Sequence, residues 1–230
     1  MTDKSRLLRT AIEDNIAWCS KVCSAHGSTE TSSSIAWANL AASPRFYPNI
    51  ITRERNVQDE VAELAHKVRE ANPSQRWGVK DSFADLILPE QDFERVLTAH
   101  WYGATVSGGD AIGWKTVASP AELHAWESAW GSPEDTVFPS SLLEDRRVRF
   151  WFRGEIGAIQ SGFISFDTGF SLGLSNWFST AGHSFAEIEV LRAAGSAAHG
   201  LPIVCWSTDD LSVEEVALEK LGPLQVWISR

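Results

Sequence analysis

Long apolar runs are absent from this chain: none approaches the roughly 20 residues that span a bilayer, so no membrane partner is expected. The opening segment, Met1 to Arg9, is polar and has no signal-peptide apolar region behind it, so the expected compartment is the cytoplasm. Cysteine is scarce, at three residues, and a low, odd count is no disulfide framework. Cys19 and Cys23 are four apart on an expected helix and share a face. They read as a metal pair or as two small buried hydrophobes. No Cys/His pair at zinc spacing follows, so no metal site is assigned. Positive charge is also short: 20 Lys and Arg stand against 30 Asp and Glu, a formal net charge of −10. A polyanion is repelled on average, and nucleic acid is not an expected partner. The basic residues that cluster, such as Arg45, Arg53 and Arg55 or Arg146, Arg147 and Arg149, are interleaved with acids or fall on an alternating strand.

Apolar residues make up 43% and charged residues 22% of the 230 positions, enough for a real core in one large domain or two compact halves. The eleven tryptophans are spread from Trp18 to Trp227, as core residues with some left to line a pocket.

Periodicity divides the chain into alternating elements. Leu8, Ile12, Ile16, Cys19 and Cys23 mark a helix over residues 5–25. A short helix is expected over Ile35–Ala42, then a strand over Asn49–Arg53. Asn56 reads as the N-cap of a helix Val57–Ala71, stopped by Asn72-Pro73. Strands Arg76–Leu86 and Phe93–Tyr102 follow, joined by a turn over Pro89–Asp92. The small, polar stretch Thr105–Ala111 is the best boundary, dividing the chain into residues 1–106 and 107–230.

Beyond the boundary, Ser119, Pro120 and Glu122 form a capping-box start to a helix ending near Trp130, after a strand Trp114–Ala118. Val148–Arg153, Ile159–Phe166 and Phe170–Ser179 read as three antiparallel strands. A helix Ser184–Ala198, a strand Leu201–Trp206, a helix Asp210–Leu221 and a strand Leu224–Ile228 complete the order.

The segment "LPIVCWSTDDLSVEEVALEKLGPLQVWI" resembles the part of the GNAT acyltransferases in which the fifth strand runs into the fourth helix and the closing strands. Leu218-Glu219-Lys220-Leu221-Gly222 matches that helix's ending, and "GLSNWFST", Gly173 to Thr180, stands where the family's fourth strand should be. The resemblance covers residues 113–230, about half the chain. It implies an α/β (α+β) fold: a GNAT-like mixed, mostly antiparallel sheet flanked by helices. The first half repeats part of that rhythm, so it is either a partial GNAT-like duplicate, giving tandem halves, or an unrelated extension.

The resemblance also implies a chemistry: an acyl group passes from a thioester donor to the amine of a small molecule or amino acid. The donor is acetyl-CoA, another acyl-CoA used as co-substrate, or an acyl group on a carrier protein; no permanently bound cofactor is implied. An inactive, GNAT-like ligand-binding or protein-interaction domain is the alternative. In such a fold the fourth and fifth strands splay, and the gap offers backbone groups to the donor's pantetheine arm. The matching donor-binding positions are Ser175, Trp177 and Phe178, with Gly182, His183 and Ser184 beside the phosphates. Asn176, Ser207 and Asp209 are the matching candidates for catalysis, against ordinary strand polarity and helix capping. Lys80, Asp81, His100 and Tyr102 are candidates for the acceptor side, set in or closing apolar strands of the first half. Two departures stand out. Ser179-Thr180-Ala181-Gly182-His183-Ser184 lacks the family's phosphate-loop signature. Leu218 occupies the place of a tyrosine that many of these enzymes use as general acid.

Overall fold

The computed structural model describes residues 3–105, 108–131, 136–183, 187–211 and 218–230. Eleven strands join in one sheet. They are β1 (Glu30–Ser32), β2 (Ala36–Asn39), β3 (Ile50–Thr52), β4 (Gly78–Asp81), β5 (Phe93–Ala104), β6 (Trp114–Thr116), β7 (Val148–Glu155), β8 (Ala158–Asp167), β9 (Leu172–Ser179), β10 (Ile203–Ser207) and β11 (Glu219–Ser229). The helices are α1 (Asp3–Ala25), α2 (Gln58–Ala71), α3 (Pro120–Trp130) and α4 (Glu187–Ala198). The strand order is β1-β2-β3-β4-β11-β5-β10-β9-β8-β7-β6.

Two neighbouring pairs in this sheet are parallel, β3 with β4 and β9 with β10. Parallel strands need a crossover, and α2 and α4 supply it. The second pair is the splayed pair that the GNAT resemblance implies, and the first is what a partial duplicate in the first half requires. The meander β7-β8-β9 is antiparallel, also as expected. Each half's closing strand crosses over: β11 lies between β4 and β5, and β5 lies between β11 and β10.

Period-two alternation sorts the core between the two faces. Ile51, Trp101 and Val204 pack with α1 and α3 in one cluster. On the other face, Ile50 and Val79 pack against α2, while Tyr102 and Ile203 pack with α4. The apolar stripe of α1 is broad, because Ala11, Trp18 and Val22 are buried alongside Ile12, Ile16, Cys19 and Cys23. α3 starts as its sequence dictates: the Ser119 hydroxyl accepts from Glu122 N at 3.3 Å, and Glu122 Oε2 accepts from Ala118 N at 2.7 Å.

The structure corrects several expectations. Ile35–Ala42 is not a helix; its centre is β2, held in the sheet between β1 and β3, where pairing overrides local preference. Asn56 is not the N-cap of α2; it takes φ +57° in the preceding turn, and the helix starts after Val57. The strand expected over Arg76–Leu86 stops at Asp81, whose carboxylate accepts from Phe83 N (3.0 Å) and Leu86 N (2.8 Å) and folds the chain back. It does not pair with β5, because β11 intervenes. Glu219 to Gly222 do not end a helix; they open β11, where Glu219 and Lys220 pair with Gly103 and Tyr102 and Gly222 follows a bulge. The rest of the helix expected over Asp210–Leu221 falls largely on residues 212–217, outside the described residues. Ser107, in the expected boundary, and the start of the helix expected from Ser184 also lie outside them.

Candidate active site at a splayed strand pair

The ladder between β9 and β10 carries two partnered positions, Leu172 with Ile203 and Gly173 with Val204. Beyond them β9 runs on to Ser179 and β10 to Ser207 with no further pairing between the two. Two parallel strands that part in this way leave backbone N–H and C=O groups facing a gap. Within β9, Asn176 takes φ +53° at a bulge against β8, where Ile164 pairs with Ser175 and Gly162 with Phe178. A bulge bends its strand and frees backbone groups from the ladder. Left-handed geometry is uncommon in a non-glycine residue, and asparagine tolerates it better than most.

Side chains on β9 alternate around this bulge. Trp177 packs toward α4. Phe178 packs toward α3, edge-on to Trp126 with ring centroids 5.1 Å apart. Ser175 and Trp206 line a narrow cavity at the root of the splay together with Gly173, Val204, Cys205 and Asp14 and Asn15 of α1. The cavity holds about 10 Å³, the room of roughly one water molecule. A Cβ built on Gly173 would overlap the Asp14 carboxylate outright, so α1 sits directly on this strand.

Asp14 is 3% exposed and accepts from the Ser171 hydroxyl at 2.5 Å and from Thr168 Oγ1 at 3.5 Å. Burial pushes its carboxyl up to about 7, against those two bonds, which pull it down. Lys80 is buried on the same face of the sheet. Its Nζ donates to Asn15 Oδ1 at 2.9 Å and lies 4.4 Å from the Trp206 ring centroid. Burial brings its pKa down to about 8. Cys205 is buried in β10, and desolvation lifts its thiol to about 12, far from a nucleophile's range.

At the far end of β10 a polar cluster forms on the opposite face. His100 and Tyr102 of β5 pair with Ser207 and Cys205. Tyr102 Oη shares its proton between Asp209 O (3.2 Å) and Asp210 Oδ1 (3.3 Å) and accepts from Leu211 N. Burial raises the Tyr102 pKa above the usual phenol value. His100 is lowered, first by desolvation and then by the Lys220 ammonium. Asp210, not Asp209, supplies the carboxylate that meets Lys220, at 3.3 Å. Ser207 Oγ accepts from Asp209 N at 3.0 Å.

The residues singled out in the sequence therefore fall into separate groups. Ser175, Asn176, Trp177 and Phe178 lie along the open side of β9. His100, Tyr102, Ser207 and Asp209 converge at the end of β10. Gly182 and His183 form an exposed turn, with His183 N bonded to Thr180 O and Gly182 at φ +82° in open space; Ser184 is outside the described residues. Lys80 faces α1, away from Tyr102, and Asp81 is spent on its own turn. Cys19 and Cys23 are buried thiols of α1.

Sequence reading missed Asp14, Asn15 and the side chain of Trp206. A signal for the first two exists: Ala11, Asp14, Asn15, Trp18 and Val22 stand at the three- and four-residue spacing of one helix face. A roomier cavity, about 490 Å³, lies elsewhere, between α1 and the β1–β3 edge. The ionic groups along it are already paired, Arg53 with Glu13 at 3.1 Å and Arg9 with Glu54 at 2.7 Å.

The described residues thus form a mixed sheet with a splayed parallel pair, a bulge in the first strand of that pair and helices on both faces. Several solved structures are similar to this chain. A GCN5-related N-acetyltransferase from Kribbella flavida superposes with a TM-score of 0.62 at 12% identity, covering 94% of this chain and 95% of that one. A functionally unknown conserved protein from Staphylococcus epidermidis gives 0.60 at 9% identity, covering 88% and 94%. A GCN5-related N-acetyltransferase from Sphaerobacter thermophilus gives 0.52 at 10%, covering 84% and 76%. No family model and no curated protein matches the chain by sequence. The chain has the GNAT fold, and the likeness runs through both halves of the sheet rather than the second alone.

Proposed function

We propose that the protein is an N-acyltransferase that moves an acyl group from a thioester to the amine of a small molecule or amino acid. The observation that carries this reading is the β9–β10 splay, which opens after Val204 beside the Asn176 bulge. In this reading the pantetheine arm of acyl-CoA, or of an acyl carrier protein, runs along Ser175 to Phe178. An extended amide chain offers partners to the backbone groups that the splay leaves free. The freed backbone at Asn176 holds the thioester carbonyl and its developing oxyanion. Gly182, His183 and Ser184 lie beside the donor's phosphates. Ser207, Asp209, His100 and Tyr102 line the approach of the acceptor amine. Lys80 and Asp81 act on the acceptor side only through the elements they position. Residues 1–106 and 107–230 are read as tandem GNAT-like halves.

Coenzyme A and acetyl-CoA test the reading directly. A ligand at a hundred times its dissociation constant stabilises the folded state by about 2.7 kcal/mol, roughly 5–10 °C for a chain of this size. Gly182→Trp should abolish that shift with the fold intact, since an added Cβ meets nothing within 4 Å and the left-handed φ of +82° costs a side chain only about 1–2 kcal/mol. A parent protein whose melting temperature ignores every coenzyme A thioester would return the chain to the ligand-binding alternative.

A further inference from the structure

The splay has a closed root, and what closes it bears on the donor. Past Ser175 a group entering along β9 meets the Gly173–Val204 pairing ahead of it. On the α4 face the way is shut by Leu174, Cys205 and Leu211, all buried in one cluster. On the α1 face remains the cavity of about 10 Å³, between Ser175, Trp206 and the Asp14 carboxyl. Its walls are rigid: Trp18 and Trp101 are buried at 3% and 1% exposure, and Lys80 sits against the Trp206 ring at 4.4 Å. Asp14 is fastened from behind by Ser171 and Thr168 of the β8–β9 hairpin.

We infer that this root cavity restricts the donor's acyl group to two or three carbons, and that Asp14 and Trp206 are the residues that set the limit. The inference rests on the acyltransferase reading. Space gives the first reason: one water's worth of room takes a methyl group and little more. Chemistry gives the second. The Asp14 carboxyl and the Asn15 amide stand among the mostly apolar lining, so a longer chain that pushed them aside would strip both of their partners. An apolar acyl tunnel would behave in the opposite way, tightening binding by about fourfold per buried methylene.

Calorimetric titration of the whole protein with coenzyme A, acetyl-CoA, butyryl-CoA and octanoyl-CoA tests this without knowledge of the acceptor. Acetyl-CoA is expected to bind within about threefold of coenzyme A, and octanoyl-CoA at least about tenfold more weakly. Asp14→Ala should move the preference toward butyryl-CoA, and Trp206→Ala further, toward octanoyl-CoA. A role confined to folding would weaken all four ligands alike. If octanoyl-CoA binds the parent as tightly as acetyl-CoA, or if neither variant changes the order, the size limit is overturned. If no thioester binds the parent, the acyltransferase reading itself fails and this inference falls with it. Circular dichroism of both variants separates a lost fold from a changed pocket. Should Trp206→Ala not fold, Asp14→Ala alone decides.

Discussion

The two parallel junctions of the sheet begin alike and end differently. Each pairs at two positions, Ile50 and Ile51 with Val79 and Lys80 in one, Leu172 and Gly173 with Ile203 and Val204 in the other. Counting two residues past Lys80 reaches Ser82, and two past Val204 reaches Trp206. At the first junction Ser82 N donates to Thr52 Oγ1 at 2.8 Å and its hydroxyl donates to Thr52 O at 2.6 Å, so the strands stay sewn together. At the second, an indole stands where the serine would be, and β9 bulges away at Asn176. The crossover helices, α2 and α4, are similar in both. What separates a closed junction from an open one is thus the side chain two residues beyond the ladder and the bulge opposite it.

The buried charges of the two junctions should give opposite pH slopes, and these are the largest effects expected. Asp14, at the open junction, is raised from 3.8 to about 7. Between those values the folded state keeps a proton that the unfolded state has lost, so stability falls as pH rises from about 4 to 7, then levels off. The loss is on the order of 4 kcal/mol. Lys80, at the closed junction, is lowered from 10.5 to about 8. Here the unfolded state holds the extra proton, so Lys80 by itself adds stability from pH 8 toward 10.5, on the order of 3 kcal/mol. The buried thiols Cys19, Cys23 and Cys205, all raised by desolvation, act against it above about pH 9, so urea unfolding of the parent and of Lys80→Met across pH isolates the Lys80 slope. Asp81 and Glu127 are also raised by burial and share the acid window. The difference between the parent and Asp14→Asn isolates the Asp14 slope, and a variant with the parent's slope would refute its assignment.

Matched positions on the first strand of each parallel pair should respond to size in opposite directions. Gly173→Ala pushes against the Asp14 carboxylate and should cost about 1–3 kcal/mol, relieved in a Gly173→Ala/Asp14→Ala double variant. Ile51, its counterpart, is fully buried, and Ile51→Val should cost about 1 kcal/mol through the lost methylene. Additive costs in the Gly173 cycle would mean that the two residues do not press on one another.

A smaller effect distinguishes structure from donor binding. Ser82→Ala removes the bond to Thr52 O and should cost about 1 kcal/mol while leaving the coenzyme A response unchanged. Ser175→Ala, on a half-buried side chain of the open junction, should shift stability by less than about 0.5 kcal/mol yet weaken acetyl-CoA binding in titration. If both variants behave alike toward acetyl-CoA, the two junctions are not functionally different.

The sequence announced the elements better than their neighbours. The capping box at Ser119 and the crossover helices are local signals, carried by periodicity and by Gly and Pro punctuation. The exchange of closing strands was not legible, because nothing local in Phe93–Tyr102 or Leu224–Ile228 states which partner strand each takes. Leu218 to Gly222 was misread for a related reason: Glu-Lys-Leu-Gly suits a helix end, but pairing with Gly103 and Tyr102 wins. Of the candidate site, the resemblance picks out Ser175 to Phe178, and the structure sets them along the open side of β9. Asp14 and Asn15 were overlooked because two polar residues interrupt an apolar stripe, and only the tertiary contact with Ser171 and Lys80 makes them buried.

Amide hydrogen exchange with and without coenzyme A tests the difference between the junctions most directly. Donor bound in the open splay should slow exchange over residues 174–178 and 205–207 and leave residues 50–53 and 78–82 unchanged, since those groups are already paired. Protection at the β3–β4 junction instead, or equal protection at both, would contradict the assignment of the β9–β10 splay as the donor site.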